Sequence, residues 1–394
     1  MDFRLLQESA LSQAADLWDY CFEKKGTPFY EWYFREYALK QNRILGGFQD
    51  GKLRTMLHLN PYVLRVRGRE WKVPYIVGVA TDPVARGHHV MGQLMDTAFT
   101  MLRAMKVPFV ILMPIYAGIY QPYGYAWTHL RKHYTLPLAG LDLAGRTLDG
   151  YEPERVDTAK ARDLVAPVYA RSMERYHGYA VRDQRVWDNL LITAAQENFE
   201  TVILRNDGAP KAYALYNREG DKVTVQELAA VDPPAKIRLL QYFKGLAGIH
   251  KTLDWLAPED DLTWTQLPDQ ALAPKEAPFM MGRVINAAAC LKALAVPDGT
   301  VLGKTLVLAL KDEQIALNTM LVKLEFTREG IRLLNTLDDP EVLLDAGTFT
   351  QLFFGLMGPA QLQQAGMIYV DSKNALEILD KLFPRENNFI NEYF

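Results

Sequence analysis

Apolar and polar positions in the first third of the chain follow two different periods. In "RILGGFQDGKLRTMLHLN" they alternate singly around Asp50-Gly51, which predicts a β-hairpin closed by an Asp-Gly turn. "WKVPYIVGVATD" reads as a further strand. The period then lengthens: in "VMGQLMDTAFTMLRAM", Val90, Leu94, Ala98, Met101, Leu102 and Met105 recur at helical spacing. "VPFVILM" is an unbroken apolar run, the pattern of a buried strand. Strand, loop, helix and strand in that order predict a βαβ-like unit.

The middle of the chain, from about residue 154 to 260, has a similar flavour without sequence identity. "DTAKARDLVAPVYARSMERY" and "PPAKIRLLQYFKGLAGI" predict helices. Between them, "FETVILRNDGAPKAYALYNREGDKVTVQELAAV" predicts strands separated by turns at Asn206-Asp207-Gly208 and Glu219-Gly220-Asp221. In the last third, "PFMMGRVINAAACLKAL" leads into "KTLVLALKDEQIALN" and "LVKLEFTREGIRLLN". These read as alternating strands around Asp312-Glu313 and Arg328-Glu329-Gly330, ahead of helices such as that in "GTFTQLFFGLM". They predict a small α+β domain. Stretches 136–154 and 256–278, rich in Gly, Pro and acids, read as linkers or edge loops.

The length, 394 residues, exceeds what one core supports and points to two or three domains. A net charge of −3 carries no basic footprint for nucleic acid. Cys21 and Cys290 are the two cysteines, far apart, so no disulfide framework or CxxC knuckle is available and a reducing, cytoplasmic setting is expected. "MDFRLLQESALSQAADLWDYC" is charged throughout and lacks the apolar core of a signal peptide, and no run approaches a membrane span. Seven histidines are scattered without an HExxH pattern, and no metal is expected.

Two stretches carry candidate chemistry. In "YIVGVATDPVARGHHVMGQLM" a strand ends near Ala80, a turn holds Pro83, Arg86 and Gly87, and a helix begins near His89. Unpaired N–H groups at a helix start attract anions, and Arg86 adds a cation suited to phosphate oxygens. A plain strand-to-helix turn with an exposed arginine is the other reading. "IYAGIYQPYGY" then places four tyrosines, two glycines and a proline after the buried strand. They form an aromatic plug, or one hydroxyl does chemistry.

"VGVATDPVARGHHVMGQLM" resembles the acetyl-CoA motif of the GNAT superfamily, V-x-P-x-x-(Q/R)-x-x-G-x-(G/A). Pro83, Arg86 and Leu94 fall at its spacing, while His89 and Met91 stand at its two small-residue positions. The resemblance implies that a splayed strand pairs with the pantetheine arm and that loop N–H groups hold the pyrophosphate. It assigns acetyl-CoA to Val79, Ala80, Thr81, Arg86, Gly87, His88, His89, Val90, Met91 and Gly92, with Ile115 and Tyr116 from the next strand's end. "YQPYGY" is similar to the family's second signature, Y-x-x-(F/Y)-G-(F/Y). That makes Tyr120 the general acid for the leaving thiolate, with Tyr123 and Tyr125 as packing. A phenol with a pKa of about 10 remains protonated at neutral pH and can serve so.

The whole chain resembles the enhanced intracellular survival (Eis) acetyltransferases, "PFMMGRV" and the terminal "FINEYF" included. The resemblance implies a mixed α/β and α+β protein: an N-terminal GNAT domain (1–145), a second, degenerate GNAT-like domain (146–278) and a sterol-carrier-protein-like domain (279–394). It implies direct acetyl transfer from acetyl-CoA to a small polyamine- or aminoglycoside-like amine or a protein lysine, without metal, by a homo-oligomer, often a hexamer. It also implies that the α-carboxylate of Phe394 is the general base. The alternative is a frayed tail, against which "NNFINEYF" is notably apolar. Phe22, Trp32, Tyr33 and Phe34, with Glu23 or Glu31, are candidates for the acceptor pocket; an aromatic-rich helix packed on the core explains the same residues. A non-catalytic acyl-CoA or lipid-binding protein with a degenerate GNAT fold is the competing function. A structural oligomerisation protein would leave Arg86 and Tyr120 unexplained.

Overall fold

The structure, a computed structural model, describes residues 1–141, 143, 150–267, 269–297 and 301–393. The chain opens with β1 (Asp2–Leu5), α1 (Leu11–Cys21), α2 (Pro28–Trp32), a π-helical turn (Tyr33–Tyr37) and β2 (Arg43–Gln49). Asp50 and Gly51 both take left-handed backbone, φ 52° and 75°, which matches the strand twist and closes the predicted hairpin onto β3 (Lys52–Val66). Then come β4 (Arg69–Thr81), α3 (Val90–Ala104), β5 (Phe109–Leu112) and β6 (Ala126–Pro137). The middle holds β7 (Glu152–Val156), α4 (Arg162–Met173), β8 (Tyr179–Ala180), α5 (Gln184–Gln196), β9 (Glu200–Asn206), β10 (Ala209–Glu219), β11 (Lys222–Ala230), α6 (Pro233–Lys244) and β12 (Thr252–Pro258). The last third holds β13 (Lys275–Val284), α7 (Ala287–Ala293), β14 (Thr305–Lys311), β15 (Met320–Thr327), β16 (Gly330–Asn335), β17 (Val342–Asp345), α8 (Ala346–Phe354), α9 (Pro359–Gln364), β18 (Tyr369–Val370) and α10 (Lys373–Leu382).

These elements form two units, Met1–His129 with 279–393, and Leu130–Pro278. In the first unit, β1, β2, β3 and β4 are antiparallel neighbours, β5 lies parallel to β4, and β13 is antiparallel to β5. Side chains alternate across this sheet. One face (Met56, Ala80) packs with Trp18, Tyr30 and Tyr33 of the N-terminal helices. The other (Leu57, Leu59, Ile76) packs with Leu94, Met95, Ala98, Phe99 and Leu102 of α3. The buried stripe of α3 is thus rotated from the sequence reading: Met95 and Phe99 are buried and Met105 is exposed.

The remainder of this unit is built on a second sheet, in the order β16-β15-β14-β17-β18, with α8 buried except at Gly347. Arg67, in the β3–β4 turn, donates to the carbonyls of Leu352 (2.6 Å) and Phe353 (2.8 Å), capping the end of α8, and pairs with Glu386 at 2.9 Å. β14 stops at Lys311, just before the Asp312-Glu313 pair around which the sequence sets two strands. The carboxylate of Asp312 instead accepts from the N–H groups of Gln314 (3.0 Å) and Ile315 (2.9 Å) and folds the chain into a turn.

The second unit repeats the strand–helix–strand pattern. β7, β9, β10 and β11 are antiparallel neighbours; α6 then connects β11 to the parallel β12, which pairs with β6. Leu136, Leu138, Leu141 and Leu143, read from sequence as linker, are fully buried in its core beside Leu239, Phe243 and Trp255.

Candidate functional site

The site is built around a fault in the sheet. β4 and β5 are paired only at Tyr75–Ile111 and Ile76–Leu112. β4 runs on to Thr81, so the two strands part beyond Ile76. At the same point the β3–β4 register slips: His58 faces Val77 and Met56 faces Ala80, so Gly78 and Val79 together oppose Leu57. This bulge needs glycine. Gly78 sits at φ 57°, and a Cβ on it would lie 2.4 Å from Cζ3 of Trp18.

The loop after β4 is drawn together by short contacts. Asp82 accepts from the N–H of Val84 (3.1 Å) and pairs with Arg54 at 2.6 Å. Partial burial would raise the Asp82 carboxyl, but the Val84 N–H and Arg54 hold it below the usual range. Nε of Arg86 donates to the Thr81 carbonyl at 3.2 Å. Burial pushes the Cys21 thiol up, and the nearby Arg86 guanidinium offsets part of that.

Gly87 and His89 take left-handed backbone, φ 79° and 55°, and α3 starts with no side-chain cap. The first-turn N–H groups of Val90, Met91 and Gly92 therefore point outward without helical partners. Arg86, Gly87, His88 and His89 are exposed, Val79, Thr81, Met91 and Gly92 half-buried, and Ala80 and Val90 buried. The last two can offer a ligand only backbone.

The tyrosine turn leaves the end of β5, so both loops lie at the carboxyl ends of parallel strands, where α/β folds place ligands. The hydroxyl of Tyr123 lies 3.5 Å from where a Cβ on Gly92 would be, which brings the turn against the start of α3. Tyr120 packs edge-on against Tyr125 at 5.8 Å, and its hydroxyl has no hydrogen-bond partner among the described residues. Burial pushes its pKa up to about 12. Tyr125 is buried, its hydroxyl unpartnered, and burial raises its pKa further. Ile115 and Tyr116 are 89% and 69% exposed at the mouth of the turn.

Arg283, from β13, holds the turn from below. Its Nε donates to the Tyr123 carbonyl (2.8 Å) and its Nη2 to Asp312 (2.6 Å), with both side chains buried. Burial would raise the Asp312 carboxyl, but hydrogen bonding to Arg283 and Asn318 keeps it below its ordinary value. Sequence reading missed this pair, because its members are 29 residues apart and belong to no motif.

The C-terminal tail is packed, not frayed: Asn388, Phe389, Ile390, Asn391 and Glu392 are all buried. Asn388 donates to the carbonyls of Thr128 and Phe354, both at 2.9 Å. The hydroxyl of Tyr75, on β4 beside the splay, donates to the Glu392 carbonyl at 3.4 Å. Tyr393 packs edge-on against Phe279. Phe394, the residue assigned as general base, lies outside the described residues. Of the acceptor candidates, Trp32 and Tyr33 are buried, Phe22 is exposed and Phe34 half-buried. Glu31 accepts from the N–H of Gly26 at 3.1 Å. The aromatic segment is not one helix: α1 ends at Cys21 and α2 starts at Pro28.

In the second unit the corresponding loop is two residues, Val231 and Asp232. The Asp232 carboxylate accepts from the N–H of Ala235 (2.7 Å), and Pro233 and Pro234 have no N–H. Among the described residues no group of His, Cys, Asp or Glu could hold a metal ion, and no helix is long and apolar enough to cross a membrane.

Three family models match successive parts of the chain. Residues 2–128 match a model described as an acetyltransferase (GNAT) domain, residues 178–284 a second GNAT acetyltransferase domain, and residues 287–391 a sterol carrier protein domain. No curated protein matches the chain. Among solved structures, a conserved protein of Enterococcus faecalis V583, described as a probable N-acyltransferase, superimposes with a TM-score of 0.89 at 20% identity over all of both chains. A GCN5-related N-acetyltransferase from Anabaena variabilis ATCC 29413 gives 0.85 at 19% identity, again over all of both chains. Eis1 from Mycobacterium abscessus gives 0.80 at 18% identity, also over all of both chains. At such identities these likenesses speak for the fold. With two GNAT acetyltransferase domains in tandem, followed in sequence by a sterol carrier protein domain, the chain belongs to the GNAT acetyltransferases and shares the fold of Eis1.

Proposed function

We propose that the protein transfers an acetyl group from acetyl-CoA directly to an amine, either on a small polar molecule or on a lysine. The observation that carries this reading is Tyr120: a phenol kept protonated by burial, its hydroxyl unclaimed, in the turn that meets the uncapped start of α3. The loop N–H groups at 87–92 and Arg86 suit the pyrophosphate, and the free edge of β4 past Ile76 suits an amide-bearing pantetheine arm.

In this reading the amine nitrogen attacks the thioester carbonyl. Its proton passes to the carboxylate of Phe394, which follows the buried run of residues 388–392 in the chain. Backbone N–H groups at the Gly78–Val79 bulge polarise the carbonyl as the C–N bond forms. The C–S bond breaks, and the proton of Tyr120 goes to the departing sulfur.

Tyr120→Phe removes one oxygen atom and tests the assignment. Turnover, followed by thiol release, should fall by roughly 10²-fold or more, with acetyl-CoA affinity nearly unchanged. Unchanged turnover would take the acid role from Tyr120. Tight acetyl-CoA binding by the native chain without thiol release to any amine would favour a binding protein instead.

A further inference from the structure

One wall of the sheet carries chemistry that acetyl transfer, as described, leaves unused. On β3, His58 and Asn60 stand one side chain apart on the face covered by α1 and α2, opposite Val77 and Tyr75 of β4. They therefore lie beside the bulge and beside the strand position that meets the C-terminal tail. Both are fully buried, and Trp18 packs on His58, their ring centroids 5.1 Å apart.

Hydrogen bonds fix the orientation of each group. Oδ1 of Asn42 accepts from the N–H of Leu39 at 2.9 Å, so its Nδ2 must donate, to the Tyr33 hydroxyl (2.9 Å) and to Oδ1 of Asn60 (2.8 Å). Oδ1 of Asn60 is thereby the accepting end of its amide, which leaves Nδ2 as the donor. Tyr33, having accepted from Asn42, gives its own proton to Nδ1 of His58 at 2.8 Å, the nearer of two acceptors, since Oδ1 of Asn60 lies at 3.5 Å and already accepts from Asn42. Burial pushes the His58 pKa down to about 3, so the ring is neutral and its one proton is on Nε2.

The remainder is Nε1 of Trp18, Nε2 of His58 and Nδ2 of Asn60, three buried nitrogens without a hydrogen-bond partner. All three are donors. Leaving so many N–H groups unpaired is costly, and the arrangement makes sense when something supplies oxygen lone pairs. An ammonium cannot, because it has only donors.

We propose that this donor trio is a subsite for an oxygen of the acceptor molecule, so that the preferred acceptors are amines carrying a hydroxyl or carbonyl near the nucleophilic nitrogen. Bare polyamines are disfavoured. The inference rests on the acetyl-transfer reading for its direction and adds the substrate class. Phe22, exposed just past the end of α1, packs on the Trp18 ring at 5.0 Å.

The test is binding of free amines to the full chain, read by calorimetry in the presence of CoA, which needs no turnover. Glucosamine supplies hydroxyls, lysine amide a carbonyl and spermidine neither. At least one of the first two should bind about tenfold more tightly than spermidine, the size of one good hydrogen bond. The better of the two tells which oxygen is taken. Asn60→Leu should erase the preference. Asn60→Asp, which turns a donor into an acceptor, should shift it towards spermidine, with acetyl-CoA binding as the check that each variant is folded. Equal binding of all three amines by the native chain overturns the proposal. So does a preference that survives Asn60→Leu while the melting temperature rises, since the donors then face a structural water only. Failure of thiol release alongside an intact binding preference would count against acetyl transfer and not against the subsite.

Discussion

His89 holds φ 55° at a position where the GNAT motif has a small residue. A side chain in the left-handed region costs about 1–2 kcal/mol, although histidine is among the residues that tolerate it better than most. The exposed imidazole has room here, so the loop keeps its shape without glycine. His58 is the opposite case, buried where its charged form cannot exist. Its folded pKa is about 3, against about 6.5 in an unfolded chain. Between those values the unfolded state binds the extra proton, so stability is complete above about pH 6.5 and declines as pH falls. The share from one proton is up to about 1.4 kcal/mol per pH unit. Urea denaturation of the native chain and of His58→Phe, between about pH 7 and about pH 4, should give a shallower pH slope for the variant. Identical slopes would mean that His58 titrates freely in the folded protein.

At the scale of elements, what was legible in the sequence was local. The Asp50-Gly51, Asn206-Asp207-Gly208 and Glu219-Gly220-Asp221 turns adopt the left-handed residues that their chemistry favours, and the strands beside them follow. The loop between β4 and α3 and the tyrosine turn are legible for the same reason, each being one contiguous stretch. The leucines at 136–143 were hidden among Gly, Pro and Asp, and only their packing on α6 makes them core. Trp18, His58 and Asn60 come from separate segments that only the register of β3 on β4 brings to one wall, though two polar residues at alternate positions in "MLHLN" were a readable hint. The tail is an element of this kind, fixed by Thr128, Phe354 and Tyr75. Adding residues after Phe394 turns its carboxylate into an amide and lengthens a buried segment. Such an extended protein should lose about 10²-fold or more in kcat, while the same addition before Met1 should leave kcat unchanged. Equal activity of the two tagged proteins would remove the carboxylate from the mechanism.

At the scale of the whole molecule, the same strand–helix–strand plan is used twice and kept open once. In the first unit, eight residues separate β4 from α3, with glycine and arginine among them and no cap on the helix. In the second, Asp232 already occupies the N-terminus of α6, Tyr151 donates to that carboxylate at 3.1 Å, and two prolines remove N–H donors. A phosphate there would meet a carboxylate where it needs donors, and like charges at such a position repel. Duplicated fold therefore does not require duplicated chemistry, because the sheets repeat while the loops at the starts of α3 and α6 differ. Calorimetric titration with acetyl-CoA should return one site per chain. Arg86→Ala should weaken that site by about tenfold, as expected for the loss of one charge-assisted contact to phosphate. A stoichiometry of two, or a second site that survives Arg86→Ala, would show that the closed loop of the second unit opens to a ligand.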